Sequence, residues 1–342
     1  MKQRAHAWTS LRALKLLDDS GKAPKLVELL SYYLADAWEG SLLPDTLIID
    51  MNYGHIYKMD SDPKMLDCEI SGEDWYKVPY KNLKSLMKGS RLMLEYAKTS
   101  EELEKPYRTH KVKGGNLPDR VIAISHQISD MLKMADYPIA FYSQNKKVKT
   151  YLDNLSAQSV KDLNCSPNFS ARQIALTFFI LSHYICDAHM PLHCDLRDYG
   201  TEGKNATRRI PEDFHPSIEE EWENNFPAKE DLFLNAYKDK SLDQVIANLP
   251  TNSIIKIDKD PQYVLDSKIA TLTNDEWKEM IYICRTSYAV SRYWIKPNGK
   301  DIKDFISGAG KAEFEKVSNY IFHDAVQSIA AIWYKIWNRF LE

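Results

Sequence analysis

The sequence has few cysteines, little net charge and no long apolar run, and each shortage argues against a class of protein. Its five cysteines are an odd number, lie far apart and form no Cys-x-x-Cys pair. Neither a disulfide framework nor a thiolate zinc site is therefore indicated. The net charge of -3 gives no overall field that would favour nucleic acid or a membrane, although a local basic patch is compatible with it.

The N-terminus also lacks the apolar core of a signal peptide, because Met1-Lys-Gln-Arg leads directly into His6. No apolar run elsewhere is long enough to span a bilayer. We therefore expect a soluble cytoplasmic protein with no integral membrane contact. A secreted chain from which a signal peptide has been removed would show the same pattern.

Helical periodicity is what the sequence does have, and neither an alternating strand pattern nor an internal repeat accompanies it. A chain of 342 residues that is 44% hydrophobic is long enough for one large domain or two ordinary ones. We predict an all-α fold, a single multi-helical domain over residues 1–342. The predicted helices are 7–19, 25–38, 80–99, 119–135, 146–162, 170–190, 214–226, 242–248, 274–293 and 311–341.

Two stretches of the chain lack a sustained period. Residues 40–79 are rich in Asp, Gly, Pro and Tyr, and loops of this length are commonly functional. This early loop contains Asp45 and His55. The polar stretch 250–273 is a candidate for a small lobe or lid.

The helix over 170–190 is apolar on nearly every side, which is typical of a helix buried in the middle of a domain. It nevertheless carries His183 and Asp187 one turn apart on the same face. Pro191 then ends the helix, and His193 follows. Buried ionisable groups need partners, so a hydrogen bond inside the core and a metal site explain this pair equally well.

A second pair of the same kind lies on the helix over 214–226, where His215 and Glu219 share a face. Imidazole and carboxylate groups together suit zinc, which binds nitrogen and oxygen ligands and keeps one position open in catalytic sites. Two such pairs with His193 between them indicate a zinc site more strongly than either pair alone.

The segment Ser182-His-Tyr-Ile-Cys-Asp-Ala-His-Met-Pro-Leu-His193 resembles the core motif of the zinc-dependent phospholipase C and single-strand nuclease superfamily. That motif has a His, an Asp four residues on and a His six further, with Pro-Leu before the last. The N-terminal Ala5-His-Ala-Trp-Thr-Ser-Leu-Arg is similar to the opening helix of this family, whose leading His is a ligand. The resemblance covers residues 1 to about 226, and 227–342 is a helical remainder.

The resemblance implies a cluster of two or three zinc ions. The first would be held by Asp45, His55, His183 and Asp187, the second by His193, His215 and Glu219, and the third by His6, Asp187 as a bridge, and the amine and carbonyl of Met1. Family members begin with a Trp that chelates metal through its backbone, and Met1 takes that place here. A blocked amine would leave a two-metal site.

The same resemblance implies a hydrolase that cleaves phosphodiester bonds by metal-activated water. Asp45 would orient or deprotonate that water. We expect the arginines of the loop over 194–213, namely Arg197, Arg208 and Arg209, to bind phosphate oxygens bidentately.

The expected substrate is a phospholipid, because Glu219 resembles the phospholipase C branch. The alternative is a nuclease or nucleotidase acting on single-stranded nucleic acid, with early tyrosines such as Tyr53 and Tyr57 stacking on bases. A non-catalytic helical protein with a structural metal and a metal-free core whose histidines bond to carboxylates are further alternatives. We expect His189 to be structural and not a ligand.

Overall fold

The computed structural model describes residues 1–48, 54–61, 110–136, 170–198, 210, 213–226, 244, 261–272, 276–295 and 301–341. These residues are mostly helical, and the chain belongs to the all-α class. The helices, numbered in chain order, are α1 (Gln3–Asp19), α2 (Pro24–Tyr32), α3 (Asp36–Leu43), α4 (Leu117–Asp136), α5 (Ala171–Ala188), α6 (Phe214–Asn224), α7 (Pro261–Thr271), α8 (Glu276–Trp294), α9 (Ile302–Ile306) and α10 (Lys311–Leu341).

Helix α5 is the centre of the packing, as its apolar sequence predicts. Its side chains from Ile174 onward are mostly buried, and it contacts α1, α3, α4, α8 and α10. Ser170 begins the helix with a capping box, in which its hydroxyl accepts from the Gln173 amide while the Gln173 side chain accepts from the Ser170 amide. The indole of Trp333 on α10 donates to the carbonyl of Phe178 over 3.1 Å.

Helix α3 lies unusually close to α5 because Gly40 has no side chain. A Cβ atom at Gly40 would lie 2.5 Å from Cβ of Phe179 and 3.2 Å from the carbonyl oxygen of Leu176. The close approach puts the backbone at the end of α3 against the face of α5 that carries His183.

The region predicted as one long early loop begins with regular structure. Helix α3 extends to Leu43, and a π-helical turn, Pro44–Ile48, follows it. The helix predicted over 25–38 is interrupted between α2 and α3 at residues 33–35, where neither glycine nor proline marks the break. Packing of α3 on α5 overrides the local periodicity there.

The structure also contains two short strands that the sequence analysis did not predict. β1 (Lys58–Ser61) pairs antiparallel with β2 (His110–Gly114), with an irregularity between Lys58 and Met59. The strands are too short for a period of two to be recognised. Gly115 follows at φ +95, and a Cβ atom there would lie 1.8 Å from the carbonyl oxygen of Ile56.

The described part of the stretch 250–273 is helix α7, which packs on α1 and α10 with Leu265 fully buried. This helix is part of the core and does not form a lobe of its own. The predicted helices over 80–99 and 146–162, and all of 242–248 except residue 244, lie outside the described residues. In the described parts of the chain, no helix combines the length and hydropathy that crossing a bilayer requires.

Candidate metal centre

The structure brings together every group that the sequence analysis predicted as a zinc ligand. They come from six segments: Met1 and His6 at the start of α1, Asp45 in the π-helical turn, His55 before β1, His183 and Asp187 on α5, His193 in a 3-10 turn, and His215 and Glu219 on α6. Three groups of these side chains have ligand atoms that lie within 4.8 Å of one another, which is close enough to hold metal ions.

The first of these groups is His55, His183 and Asp187, and Asp45 lies beside it in a second group with His6 and His183. Nε2 of His183 lies 3.0 Å from Nδ1 of His55, 3.1 Å from Oδ2 of Asp187 and 3.5 Å from Oδ1 of Asp45. Nδ1 of His55 lies 2.7 Å from Oδ2 of Asp187 and 3.7 Å from Oδ1 of Asp45. Ligands about 2.0 Å from a tetrahedral zinc ion are separated by about 3.3 Å. His55, His183 and Asp187 therefore lie close enough to share one ion, whereas Asp45 is grouped with His183 and His6, so the predicted set of four for the first zinc stays a prediction.

The two oxygens of Asp187 face different neighbours. Oδ2 faces the pair just described, whereas Oδ1 lies 2.7 Å from the Met1 amine and 3.4 Å from both His6 Nε2 and His193 Nδ1. His6 Nε2 is also 2.9 Å from the carbonyl oxygen of Met1. Asp187 thus lies between two sets of donors, and its bridging of two ions stays a prediction.

The remaining group lies on the other side of the Met1 amine. Oε1 of Glu219 is 3.1 Å from this amine, 3.2 Å from Nε2 of His215 and 3.6 Å from Nε2 of His193. Both pairs of residues four apart, on α5 and on α6, therefore point into one continuous cluster.

The orientation of His183 is fixed by the main chain of α3. Its Nδ1 donates to the carbonyl oxygen of Ser41 over 2.6 Å. A carbonyl oxygen can only accept, so Nδ1 carries a hydrogen and Nε2 is the nitrogen that faces the carboxylates. The His6 ring stacks on this imidazole with centroids 3.8 Å apart.

The carboxylates of the cluster are ionised at neutral pH. Burial alone would raise the pKa of Asp187, but the Met1 ammonium, His193 and His183 outweigh burial and hold this pKa well below its usual range. For Glu219, the Met1 ammonium, His193 and His215 likewise overcome burial and hold the pKa well below its usual range. The pKa of Asp45 falls to about 2, because hydrogen bonding and charge from His183 outweigh its burial.

The protonated Met1 amine and the protonated His183 ring offset this negative charge. Burial would lower the pKa of the Met1 amine, but Asp187 and Glu219 raise it to about 12. The pKa of His183 rises to about 9 because Asp187 and Asp45 outweigh burial. Burial lowers the pKa of His193 to about 4, helped by the Met1 ammonium, so this ring is neutral at pH 7.

The chemistry of the donor set fits divalent cations. Nδ1 of His6 and Nδ1 of His193 are buried and have no hydrogen-bond partner among the described residues. A divalent cation would take the place of the protons that offset the carboxylates, because carboxylates and neutral imidazoles bind metal in competition with protons. Nitrogen and oxygen donors at this spacing suit zinc.

One edge of the cluster is open to solvent. The side chains of His6 and His183 are fully buried, whereas those of Asp45, His215 and Glu219 are 32%, 22% and 15% exposed. A substrate can therefore reach the cluster from this side, as a catalytic site requires.

Arg197 does not have the position predicted for it. The side chain is 2% exposed, and its Nε donates to Asp195 Oδ2 over 2.9 Å. Its Nη1 donates to the carbonyl oxygen of Ile295 over 2.7 Å, and its Nη2 donates to that of Ser291 over 3.1 Å. Arg197 therefore ties the loop to α8 and has no free edge for a phosphate. Arg208 and Arg209 lie outside the described residues.

Sequence reasoning missed two side chains that contact this site. Asp198 accepts from Nδ1 of His215 over 2.9 Å, and Lys58 donates to Asp198 over 3.3 Å. A carboxylate in the loop before His215 was the only available signal. His189, predicted to be structural, contacts the Ile185 carbonyl, Asp324 and Ser328 in the core.

Comparisons of the chain with protein-family models, with curated proteins and with solved structures found no match. The family resemblance therefore stays a prediction.

Proposed function

We propose that the protein is a zinc-dependent hydrolase of phosphodiesters, similar to phospholipase C. The observation that supports this proposal best is the convergence of imidazole and carboxylate groups on one cluster whose edge at Asp45 is open. His55, His183 and Asp187 with Asp45, and His193 with His215 and Glu219, would hold two zinc ions. His6, Asp187 and the Met1 backbone would hold a third.

Bound zinc would supply a nucleophilic water at neutral pH and neutralise charge on the phosphoryl oxygens. Asp45 stands at the open edge, where it can contact both the water and the substrate. Its low pKa keeps it a hydrogen-bond acceptor at all physiological pH values. This property suits orientation of the water better than proton abstraction, because a strong base needs a pKa near the working pH.

The surface next to the opening supports a lipid substrate. Leu47 and Ile48 follow Asp45 in the π-helical turn, and they are 75% and 39% exposed. Exposed apolar side chains at the edge of a site favour a substrate with an apolar part. Tyr57, one of the candidates for base stacking, is 5% exposed and belongs to the core.

The test measures zinc content by elemental analysis and turnover of a chromogenic phosphodiester, phosphatidylcholine vesicles, single-stranded DNA and RNA. We expect bound zinc, activity lost with a chelator and activity restored by added zinc. Asp45→Asn should lower kcat by about 10²- to 10⁴-fold. Glu39→Gln, an exposed carboxylate on α3, is the matched control and should change kcat by less than about twofold.

The outcome separates the alternatives. Faster cleavage of vesicles than of DNA supports the phospholipase C type, and the reverse order supports a nuclease. Bound zinc without turnover of any substrate would indicate a structural metal. Protein that binds no zinc would contradict the proposal altogether.

A further inference from the structure

A series of polar contacts extends outward from the metal centre behind His215. Nδ1 of His215 donates to Oδ2 of Asp198 over 2.9 Å, and Nζ of Lys58 donates to the same oxygen over 3.3 Å. Lys58 is in β1, Asp198 is in the 3-10 turn Leu196–Asp198, and His215 is in α6. Three segments that are distant in sequence thus meet at one carboxylate oxygen.

These contacts are shielded from water. The side chains of Lys58 and Asp198 are only 2% and 5% exposed. Burying an ammonium and a carboxylate carries a desolvation cost that replacing the pair with apolar side chains would avoid. The carboxylate of this buried pair also contacts His215, a member of the candidate ligand cluster.

We propose that Asp198, held in place by Lys58, is a positioning residue that fixes His215 for metal binding. This inference rests on the proposed metal centre and extends it by residues outside the ligand set. A ligating imidazole must present a lone pair at one nitrogen while the other nitrogen keeps its hydrogen. Asp198 accepts that hydrogen from Nδ1, which leaves Nε2 facing Glu219 across the cluster at 3.2 Å. A carboxylate in this place also raises the basicity of the ligand.

Lys58 connects the second ligand of the same group to this arrangement. Its ammonium also donates to the carbonyl oxygen of Leu192, the residue before His193. The neighbouring amide of Tyr57 donates to the carbonyl oxygen of His193 over 3.1 Å. Residues 57–58 therefore hold the backbone on which His193 is mounted, while the Lys58 side chain holds Asp198. The ammonium of Lys58 therefore contacts the supports of both His193 and His215.

The experiment compares zinc binding by the wild-type chain, Asp198→Asn and Asp198→Ala. The matched control is Asp324→Asn, because Asp324 is also a buried carboxylate bonded to a lysine and a histidine, Lys268 and His189, in the core. Zinc affinity is measured by competition with a chromophoric chelator, and folding by urea unfolding. The absorption spectrum of the cobalt-loaded protein reports the ligand geometry independently of turnover.

We expect Asp198→Ala to weaken binding of one zinc ion by about 100-fold, and Asp198→Asn by about tenfold, because the amide oxygen still accepts a hydrogen bond. The cobalt spectrum should change in Asp198→Ala. Asp324→Asn should lower stability to urea but leave zinc affinity within about twofold of wild type, since it removes no support from a ligand. If Asp198→Ala fails to fold, Asp198→Asn still gives the affinity and the spectrum.

Two results would overturn the inference while leaving the metal centre intact: wild-type affinity in both Asp198 variants, or an equal loss of affinity in Asp324→Asn. A wild-type protein that binds neither zinc nor cobalt would instead overturn the metal centre itself, and this inference with it.

Discussion

Two clusters in this protein are built from the same three types of side chain. At the candidate metal centre, Asp198 lies between Lys58 and His215, with contacts of 3.3 Å and 2.9 Å. In the core, Asp324 on α10 lies between Lys268 on α7, at 3.0 Å, and His189 at the end of α5, at 3.2 Å. Both carboxylates have a pKa of about 2, because the lysine and histidine outweigh burial.

The two clusters differ at the second nitrogen of the imidazole. In His189, Nδ1 donates to the carbonyl oxygen of Ile185 over 2.7 Å, and Nε2 contacts Asp324 and Ser328. In His215, the second nitrogen faces Glu219 and the rest of the ligand cluster. Burial and a carboxylate partner therefore do not distinguish a candidate ligand from a core histidine. What differs is the group that faces the other nitrogen, which is a main-chain carbonyl for His189 and a second carboxylate for His215.

The strongest test of this comparison replaces each histidine in turn. His215→Ala should lower zinc-dependent turnover by about 10³-fold, since a lost ligand costs several kcal/mol of transition-state stabilisation. His189→Ala should retain all its zinc and lose about 1–3 kcal/mol of stability, because Asp324 and the Ile185 carbonyl lose a buried partner. Zinc content, steady-state kinetics and urea unfolding measure these effects. Loss of zinc from His189→Ala would break the distinction.

Lys268→Met tests whether the core cluster of Lys268, Asp324 and His189 contributes to folding stability and not to zinc binding. Removal of one partner of a buried ion pair leaves an uncompensated charge, so we expect a loss of about 3–5 kcal/mol in the free energy of unfolding. Lys22→Met is the control. Lys22 pairs over 2.7 Å with Asp266, which is on the same helix as Lys268 but is partly exposed to solvent. Its loss should stay near 1 kcal/mol or below, at about the value of an exposed pair. Equal losses in the two variants would contradict the assignment.

His323 is a third buried histidine to compare with His189 and His215. Its Nε2 has no hydrogen-bond partner among the described residues. Burial lowers its pKa to about 4, against the raising effect of Asp324. The unfolded chain binds a proton here near pH 6.5 and the native chain does not, so the stabilisation is complete above pH 6.5. It is lost as the pH falls toward 4, at a cost of about 3 kcal/mol.

The measurement follows the urea midpoint from pH 7 to 4 in the metal-free wild-type chain and in His323→Leu. The leucine variant has no titrating group at this position, so its midpoint should fall less over this range. Parallel curves for the two proteins would show that His323 does not contribute.

Gly40→Ala tests the main-chain partner of His183 and has the smallest expected effect. His183 and His189 both donate from Nδ1 to a carbonyl oxygen, of Ser41 and Ile185 respectively. A methyl group at Gly40 would push α3 from α5, at a cost of about 1–3 kcal/mol, and move the Ser41 carbonyl. Zinc affinity should fall with stability.

Gly21→Ala is the control for this variant. Gly21 has φ +66, and a Cβ atom there would have no neighbour within 4 Å, so alanine costs about 1 kcal/mol of backbone strain without touching His183. Zinc affinity that falls equally in both glycine variants would argue against a role for the Ser41 carbonyl.

Much of the ligand cluster could be predicted because it depends on local spacing. Residues four apart on a helix share a face, so His183 with Asp187 and His215 with Glu219 are visible in the sequence. The helical class is visible for the same reason. The convergence of Asp45, His55 and the chain start on α5 came only from a family resemblance, since spacing within one segment says nothing of contacts between segments.

The contacts that the sequence does not reveal are made by long-range packing. Arg197 has the residue type and loop position of a phosphate ligand, but α8 supplies carbonyl oxygens that occupy its guanidinium. The Ser41 carbonyl is a main-chain atom, and no residue type marks it. Asp198 and Asp324 have similar local chemistry, and only the fold separates their roles.

The divided carboxylate of Asp187 has a consequence for how cations would enter the centre. Its two oxygens belong to one planar group on a rigid, buried helix, and each faces a different set of donors. An ion at one oxygen would draw on the negative charge that an ion at the other oxygen also needs, and the two positive ions would repel each other. Loading would then be stepwise, with the second ion bound more weakly than the first.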